Sequence, residues 1–284
     1  MKIYAPFVSK KCMPGQFVII IVNEGGERIP LTIADYDRDE KSVTIIYQTV
    51  GYSTKLLSMK QEGEYINDIA GPLGKPVNYS HVKKVLGIGG GVGAAPLFPQ
   101  IKSICNNGGK ADIILGGRSS EYVIIKDKFE DIAENVYVAT NDGTLGEKGF
   151  VTDILNKLIE KGEKYDEIIA IGPVVMMKAV VDITKKIGIA TSVSLNPIMI
   201  DGTGMCGGCR VTIAGNVKFA CVDGPDFNGF EVDFDELIRR QSMYKKEEEE
   251  QRQAQNQEKK LGEEKLENIK EQIEEPIRNK GFRR

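Results

Sequence analysis

The chain has 284 residues, a length that accommodates about two domains of ordinary size. Hydrophobic residues make up 41% and charged residues 28%, which is the balance of a globular protein and not of a disordered or membrane protein. The net charge of −3 gives no electrostatic reason to expect a nucleic acid or an anionic membrane as a partner. No apolar run reaches the roughly 18–20 residues of a membrane helix, and the start lacks the long apolar stretch of a signal peptide. A cytoplasmic protein is therefore predicted.

Residues 1–78 are predicted to form an antiparallel β domain. The runs GQFVIIIV (15–22), RIPLTIADY (28–36) and SVTIIYQTV (42–50) are rich in β-branched and aromatic residues. Short polar turns separate these runs, and short turns between successive strands favour an antiparallel sheet or barrel.

Residues 82–196 show the pattern of an α/β domain. Apolar runs such as HVKKVLGIGGG (81–91) and YDEIIAIGP (165–173) alternate with segments of helical periodicity. The predicted strands are apolar on both faces, as expected for a parallel sheet that helices cover on both sides. The pattern predicts a doubly wound parallel sheet.

A glycine-rich loop follows the first strand of this domain, in the segment LGIGGGVGAAP (86–96). A strand that enters such a loop and then a helix offers backbone amides and the positive end of the helix to a pyrophosphate. Because Ala94 stands where the G-x-G-x-x-G pattern has its last glycine, a simple tight turn is the alternative. Three later strand ends supply loops at the same sheet edge, namely GGRSS (116–120), TNDGTLGEKG (140–149) and IGPVVMMK (171–178).

The segment 197–232 carries the strongest chemical signal. Asp201-x4-Cys206-x2-Cys209, followed by Cys221, has the spacing of plant-type 2Fe–2S ligands with aspartate in the first place. The four glycines between Asp201 and Cys209 allow the loop to wrap so that backbone amides point at sulfur. A structural zinc site or unliganded thiols are the alternatives, although zinc modules usually carry two Cys-x2-Cys pairs and this segment has one.

Residues 233–284 are almost all polar, with the run KKEEEEQRQAQNQEKK near their start. A charged helical or disordered tail is predicted, and packing of this tail along a partner subunit is the alternative.

Taken together, these motifs resemble the ferredoxin–NADP reductase superfamily in its iron–sulfur-bearing branch. That branch holds the dihydroorotate dehydrogenase electron-transfer subunit and the sulfide dehydrogenase-like proteins. The resemblance is most specific in NPIMIDGTGMCGGCRVTIAGNVKFACVDGPDFNGFEVDF (196–234). Asp201 stands where the dihydroorotate branch has cysteine, and it looks like the three-cysteine, one-aspartate ligation of electron-bifurcating NADH-dependent reduced ferredoxin:NADP oxidoreductase small subunits.

The resemblance implies an FAD-binding β-barrel over 1–78, an NAD(P)-binding domain over 82–196 and a 2Fe–2S module over 197–232. Family members usually carry a further β-strand before the segment that matches Met13–Phe17, and here only twelve residues precede that segment. The barrel is therefore expected to lack its first strand, unless the start codon has been placed too late.

The resemblance also implies the cofactor-binding residues. Those expected around the flavin and its phosphates are Arg28, Pro30, Leu31, Thr32, Gly51, Ser53, Thr54, Gly71 and Gly74. Those expected around NAD(H) are Gly89, Gly91, Gly93, Arg118, Asp142 and Gly172. The cluster ligands are Asp201, Cys206, Cys209 and Cys221, and no side chain is expected to act as a catalytic acid or base.

The function implied is the transfer of electrons between NAD(H), FAD and the 2Fe–2S cluster. The expected partner is a larger subunit with a second flavin and further iron–sulfur clusters, through which ferredoxin is reached indirectly. An electron-transfer subunit for dihydroorotate or sulfide oxidation is one alternative, and a non-redox nucleotide-binding protein with structural zinc is another. NADP(H) also stays open, because Arg118, Ser119 and Ser120 could hold a 2′-phosphate.

Overall fold

The computed structural model describes residues 1–243 together with 249, 250 and 253. Met1–Ile238 form one compact unit, and the described residues from Arg239 onward belong to a second. The predicted boundaries near residues 80 and 196 lie inside the first unit, so the division into domains stays a prediction. Most of the tail predicted over 233–284 lies outside the described residues.

The N-terminal part of the chain forms a five-stranded antiparallel sheet with two short helices. The strands are β1 (Lys2–Tyr4), β2 (Phe17–Ile21), β3 (Arg28–Asp37), β4 (Ser42–Ile45) and β5 (Asp68–Leu73), and the helices are α1 (Pro6–Lys11) and α2 (Tyr52–Met59). The strand order is β1-β4-β3-β2-β5, so β1 and β5 are the edges of a half-barrel. The predicted antiparallel sheet is confirmed. The run predicted as a strand to residue 50 leaves the sheet after Ile45.

Strand β2 is buried on both faces, which explains its unbroken apolar sequence. Successive side chains of a strand point to opposite faces. Val18 and Ile20 pack into the core of the half-barrel. Phe17 and Ile19 pack on the other face, in a cluster that includes Cys209. The strand therefore belongs to two hydrophobic cores at once.

The next part of the chain forms the α/β layer. Its strands are β6 (Lys84–Gly90), β7 (Lys110–Gly117), β8 (Asn135–Thr140), β9 (Glu147–Lys148), β10 (Glu167–Ile171) and β11 (Thr191–Ser194), and its helices are α3 (Ala94–Asn106), α4 (Lys126–Glu130), α5 (Val151–Glu160) and α6 (Val174–Ile187). All pairings among these strands are parallel, in the order β11-β10-β6-β7-β8-β9.

Helices cover both faces of this sheet, as predicted. Helices α5 and α6 pack with one face of the strands, and α3 packs with the other. The strand order reverses between β6 and β10, because β6 is followed by β7 on one side and has β10 on its other side. In doubly wound sheets ligands bind at this switch point, outside the carboxyl ends of the strands.

The C-terminal part of the first unit is small and contacts both sheets. It contains β12 (Arg210–Ile213), β13 (Asn216–Phe219), α7 (Ala220–Asp223) and β14 (Asp226–Asn228), and helix α8 (Phe234–Gln241) begins in it. Strands β12 and β13 form a hairpin, and β14 adds an antiparallel edge to the α/β sheet beside β11. Within the described residues no helix is long and apolar enough to cross a membrane.

Replacing Ile19 by alanine is expected to lower the free energy of unfolding by about 2–5 kcal/mol, the usual cost of a large cavity in a core. Ile19 is 1% exposed and packs between β2 and the C-terminal segment. Chemical denaturation of the whole protein measures the change. Ile187→Ala is the control, because Ile187 is 42% exposed and its truncation should cost well under half as much. Equal losses in the two variants would contradict the two-sided burial of β2.

Candidate functional site

The first part of the site is the beginning of β3, where the resemblance places the flavin. Arg28 is exposed at the start of the strand, and Pro30, Leu31 and Thr32 follow it half-buried on the sheet. The Arg28 guanidinium donates a hydrogen bond to the backbone carbonyl of Asp201, at 3.1 Å. This bond joins the candidate flavin strand directly to the candidate cluster loop.

The second part is the start of helix α2. The Thr54 side chain oxygen accepts the backbone N–H groups of Val50 (3.1 Å) and Gly51 (3.0 Å) and so fixes the turn that enters the helix. The buried Ser53 hydroxyl donates to the carboxylate of Glu27. A helix N-terminus favours negative charge, and here its hydroxyl already binds a carboxylate. The Ser53 hydroxyl and the amides of Val50 and Gly51 thus already have acceptors within the protein, and the placement of the flavin phosphates at this turn stays a prediction.

Gly71 and Gly74 have a packing explanation. A Cβ atom on Gly71 would lie 2.8 Å from Val18 Cγ1, and one on Gly74 would lie 3.0 Å from the Gly224 carbonyl oxygen. These glycines allow β5 and the residues after it to approach β2 and the C-terminal segment. Their assignment as flavin contacts stays a prediction.

The glycine-rich loop and the loop after β10 meet at the switch point. A Cβ on Gly93 would overlap the Ile171 carbonyl oxygen, so no other residue fits there without movement. A Cβ on Gly172 would lie 3.0 Å from the Gly90 Cα. Gly91 has φ +54°, and a Cβ there would meet no atom within 4 Å, so its backbone faces open space. The structure thus brings the predicted Gly89–Gly93 loop and Gly172 together.

Arg118 and Asp142 lie in the loops after β7 and β8. The Asp142 N–H donates to the Arg118 carbonyl at 3.2 Å, and the Ser120 N–H donates to the Thr144 hydroxyl at 2.8 Å, so the two loops are joined. The carboxylate of Asp142 accepts from the backbone and then the hydroxyl of Thr144, which lowers its pKa. An ionised Asp142 therefore lies beside Arg118 at the edge of the sheet, next to the neighbouring strand ends.

Asp201 is held within its own loop. Its carboxylate accepts the backbone N–H groups of Thr203 (2.7 Å) and Cys206 (2.9 Å). The bond from Thr203 is the largest cause of the lowered pKa of Asp201, so this group is ionised near neutral pH. Gly202, with φ +77°, follows at a place where a Cβ would lie 2.9 Å from Leu73 Cδ1. The loop therefore lies directly against β5 of the half-barrel.

Two of the three predicted thiols are adjacent and buried. The sulfur atoms of Cys209 and Cys221 lie 3.2 Å apart, and both residues are 1% exposed. Burial first, and then the neighbouring Cys209 thiol, raise the pKa of Cys221. Cys206 is exposed on the same loop, and its sulfur accepts the Gly208 N–H at 3.4 Å.

The donor set fits a thiophilic metal or cluster, although its members are not gathered into one sphere. Across residues 1–243 no three His, Cys, Asp or Glu side chains are arranged as metal ligands. The fit rests on three thiols and a carboxylate within 21 residues, on a loop whose backbone amides already point at sulfur, as at Cys209, which accepts the Cys221 N–H at 3.5 Å. Whether Asp201 is a ligand stays a prediction.

Sequence analysis missed one contact of the candidate site. Glu27, beside Ser53, is one residue before the predicted Arg28, and its position next to the flavin motif was the available signal. Met176 lies in the loop segment predicted over 171–178, and its sulfur lies 2.5 Å from a Cβ placed on Gly90, so it contacts the glycine-rich loop.

Replacing Thr54 by valine is expected to weaken FAD binding about 2- to 30-fold, the range that corresponds to the cost of about 0.5–2 kcal/mol for a lost helix cap. Without its hydroxyl, the amides of Val50 and Gly51 lose the acceptor that orders the turn. Titration of the flavin-depleted protein with FAD measures the affinity. Ser58→Ala is the matched control, since its hydroxyl caps only the last turn of the same helix. Equal FAD affinity in the two variants would contradict a phosphate role for this turn.

Replacing Gly93 by alanine is expected to weaken NADH binding at least about tenfold, because the added methyl group forces the loop away from Ile171. Binding is measured by titrating flavin bleaching with NADH under anaerobic conditions. Val180→Ala is the control for stability, because Val180 is fully buried in α6 and its truncation destabilises the sheet without touching the loop. If Val180→Ala weakened NADH binding as much as Gly93→Ala, the loop would have no specific part in binding.

Comparison with known proteins agrees with this geometry. Residues 196–233 match the family model of the iron–sulfur cluster binding domain of dihydroorotate dehydrogenase B. Residues 88–182 match that of the oxidoreductase NAD-binding domain.

Full-length relatives are similar over most of their length. The dihydroorotate dehydrogenase B (NAD(+)) electron transfer subunit homolog of Thermotoga maritima is 47% identical, over 87% of this chain and 86% of the relative. The corresponding electron transfer subunit of Fusobacterium nucleatum is 37% identical, over 83% of this chain and 92% of the relative.

A solved structure of NADH-dependent reduced ferredoxin-NADP oxidoreductase, described for flavin-based electron bifurcation, is also similar. One of its chains is 46% identical, with a TM-score of 0.82, over 87% of this chain and 89% of that chain. With the antiparallel half-barrel, the parallel nucleotide sheet and the cysteine module on one chain, this protein belongs to the iron–sulfur-bearing ferredoxin–NADP reductase family of dihydroorotate dehydrogenase B-type electron-transfer subunits.

Proposed function

We propose that this chain passes electrons between NAD(H), an FAD on the half-barrel and a 2Fe–2S cluster in the C-terminal segment, as one subunit of a ferredoxin:NAD(P) oxidoreductase. The observation that carries the proposal is the direct contact between the two candidate redox sites. Arg28 at the candidate flavin strand bonds the carbonyl of Asp201, and the Gly202 backbone lies against Leu73 and Ile19. Electron transfer between two bound groups requires a short distance between them.

The bound groups would supply the redox chemistry: a flavin exchanges a hydride with a nicotinamide and single electrons with an iron–sulfur cluster. The protein supplies binding, orientation and electrostatics. Arg28, Pro30, Leu31 and Thr32 would face the flavin, and the turn at Gly51, Ser53 and Thr54 would hold its phosphates. The positive end of helix α2, whose entry Thr54 orders through the amides of Val50 and Gly51, supports this placement.

NAD(H) is proposed to bind at the switch point of the parallel sheet. Gly89, Gly91 and Gly93 would lie against its phosphates, because the backbone at Gly91 faces open space and a side chain at Gly93 would strike Ile171. Arg118, Asp142 and Gly172 occupy neighbouring strand ends, where the ribose and nicotinamide would lie.

One contact favours NAD(H) over NADP(H). The Ser119 hydroxyl, which was a candidate for a 2′-phosphate, donates instead to the carboxylate of Glu121 at 3.2 Å. A carboxylate near the end of the second strand of a dinucleotide-binding sheet hydrogen-bonds the ribose hydroxyls of NAD and repels the extra phosphate of NADP.

The cluster is proposed to be held by Cys206, Cys209, Cys221 and Asp201. Two of these thiols already lie together, and Asp201 is ionised on the same loop. The loop would bring the other two donors inward, since the glycines around them take positive φ values that permit such a turn. A carboxylate ligand would make one iron differ electronically from the other.

The proposed partner is a larger subunit that carries a flavin and iron–sulfur clusters. The chain is also proposed to work in the cytoplasm. Relatives named as electron-transfer subunits support the heteromeric assembly. The surface beside the cysteines supports it as well, because Met205 is 89% and Ile200 56% exposed next to the cluster loop. Exposed apolar side chains of this kind mark protein interfaces.

Anaerobic purification should give a chain whose visible spectrum shows flavin bands and a broad cluster absorption, both bleached by NADH. Cys221→Ser is expected to remove the cluster absorption, with at least about a tenfold loss of bound iron, and to leave the flavin. Cys105→Ser is the matched control, since Cys105 lies far along the chain on α3. A colourless protein that contains zinc would overturn the redox proposal and leave the zinc alternative.

The role of Asp201 has its own test. Asp201→Cys gives the all-thiolate set of the dihydroorotate branch, so the electron paramagnetic resonance spectrum of the reduced cluster should change if Asp201 is a ligand. An unchanged spectrum would show that Asp201 only orders the loop through Thr203 and Cys206.

A further inference from the structure

Asp226 lies where three parts of the molecule meet. It stands on β14, opposite Ser194 of β11. Its Oδ1 atom accepts a hydrogen bond from Gln100 Nε2 of α3, at 3.0 Å. Its Oδ2 atom faces the turn before β2, where a Cβ on Gly15 would lie only 3.1 Å away. One carboxyl group thus contacts the half-barrel, the nucleotide layer and the segment that carries the cysteines.

Two oxygen atoms of this pair lack hydrogen-bond partners. Asp226 Oδ2 and Gln100 Oε1 are both inaccessible to solvent, and neither finds a donor among the residues that the structure describes. Gln100 is fully buried. Two buried acceptors without donors, one of them on an ionised group, would carry a large desolvation cost. A proton on Asp226 would remove its charge and turn Oδ2 from an acceptor into a donor.

We propose that Asp226 is a neutral carboxylic acid in the folded protein and forms a two-bond acid–amide pair with Gln100. In this pair Gln100 Nε2–H donates to Oδ1, as the structure shows, and Asp226 Oδ2–H donates to Gln100 Oε1. Carboxylic acids and primary amides are planar groups with the same arrangement of polar atoms, so both bonds can form together. The pair joins α3 to β14, and its strength depends on pH.

Burial, and not the neighbouring groups, favours the neutral form of Asp226. Burial raises the pKa of Asp226 to about 7, and the hydrogen bonds from Gln100 and Ser194 only partly oppose this rise. Tyr79, on the segment that leads into β6, has its own pKa raised by burial and then by the negative charges of Asp226 and Glu167. The negative charge of an ionised Asp226 therefore opposes the ionisation of Tyr79.

The lysines of the adjoining elements are engaged elsewhere. Lys102 of α3 pairs with Asp35 at 2.9 Å, and Lys75, which follows β5, pairs with Asp223 at 3.7 Å. Neither contributes to the pKa of Asp226, whose causes are burial, Gln100 and Ser194. A proton, and not a cation, is thus the means by which this carboxyl becomes neutral.

The direction of the pH dependence follows from the raised pKa. Between the ordinary carboxyl pKa of 3.8 and about 7, the folded state binds the Asp226 proton more tightly than the unfolded state. The contribution of this group to the free energy of unfolding therefore falls as pH rises through that window. Above it the group is ionised in both states, and its contribution no longer changes.

The test compares the intact protein, with its cofactors, to Asp226→Asn. The amide has the shape of the neutral acid and a permanent donor for Gln100 Oε1. The melting temperature of the variant minus that of the wild type should increase between about pH 5 and about pH 7, and then stay constant. Asp182→Asn, which removes a charge from the exposed face of α6, is the matched control and should show no such trend. A difference that does not depend on pH would overturn the proposal.

Infrared spectroscopy of the wild type provides a second test that does not require the variant to fold. With carbon-13 in the aspartate side chains, a protonated carboxyl gives a C=O stretching band of its own, which should persist at pH 6, where exposed aspartates are ionised. The band should be present in Asp182→Asn as well. Its absence at pH 6 would show that Asp226 is ionised and the pair broken.

Discussion

The burial of β2 on both faces is the constraint on which the rest of the architecture depends. One set of its alternating side chains closes the half-barrel, and the other set packs against Cys209 and Cys221. The candidate cluster module is therefore not an independent domain. Its buried residues complete a hydrophobic core that begins in the candidate flavin sheet. The Arg28–Asp201 bond follows from this contact, since it spans the seam that β2 creates. Electron transfer between the two sites would use the distance that this packing fixes.

Within the nucleotide layer, backbone contacts join the loops after β6 and β10. Gly93 and Gly172 permit the loops after β6 and β10 to touch, because a Cβ on either would strike the opposite loop. Close contact of these loops leaves the Gly91 backbone open toward the carboxyl ends of the strands. The phosphates of a dinucleotide could then be bound by amides, without a positively charged side chain in the loop itself.

Much of this could be predicted from the sequence, because the signals were local. The alternation of apolar runs and helices predicted the parallel sheet, and the Asp201–Cys221 spacing predicted the cluster loop. The signals that failed were long-range. Phe17 and Ile19 look like ordinary strand residues, and nothing local shows that their face meets cysteines about 190 residues later. The packing contacts of Gly71 and Gly74 are with residues distant in the sequence, and the assignment of these glycines as flavin contacts stays a prediction. Likewise, Asp226 gains its partner Gln100 only in the fold.

Packing brings together only two of the four candidate cluster ligands, Cys209 and Cys221. The buried Cys221 thiol resists ionisation, because burial and the Cys209 thiol 3.2 Å away both raise its pKa. A cation supplies the compensation that the surroundings lack, and its binding is therefore coupled to the loss of protons. Asp201 needs no such compensation, since the amides of Thr203 and Cys206 already stabilise its charge at the rim. The hydrophobic core thus places the buried pair, while the exposed Cys206 thiol and the Asp201 carboxylate lie on the glycine-rich loop.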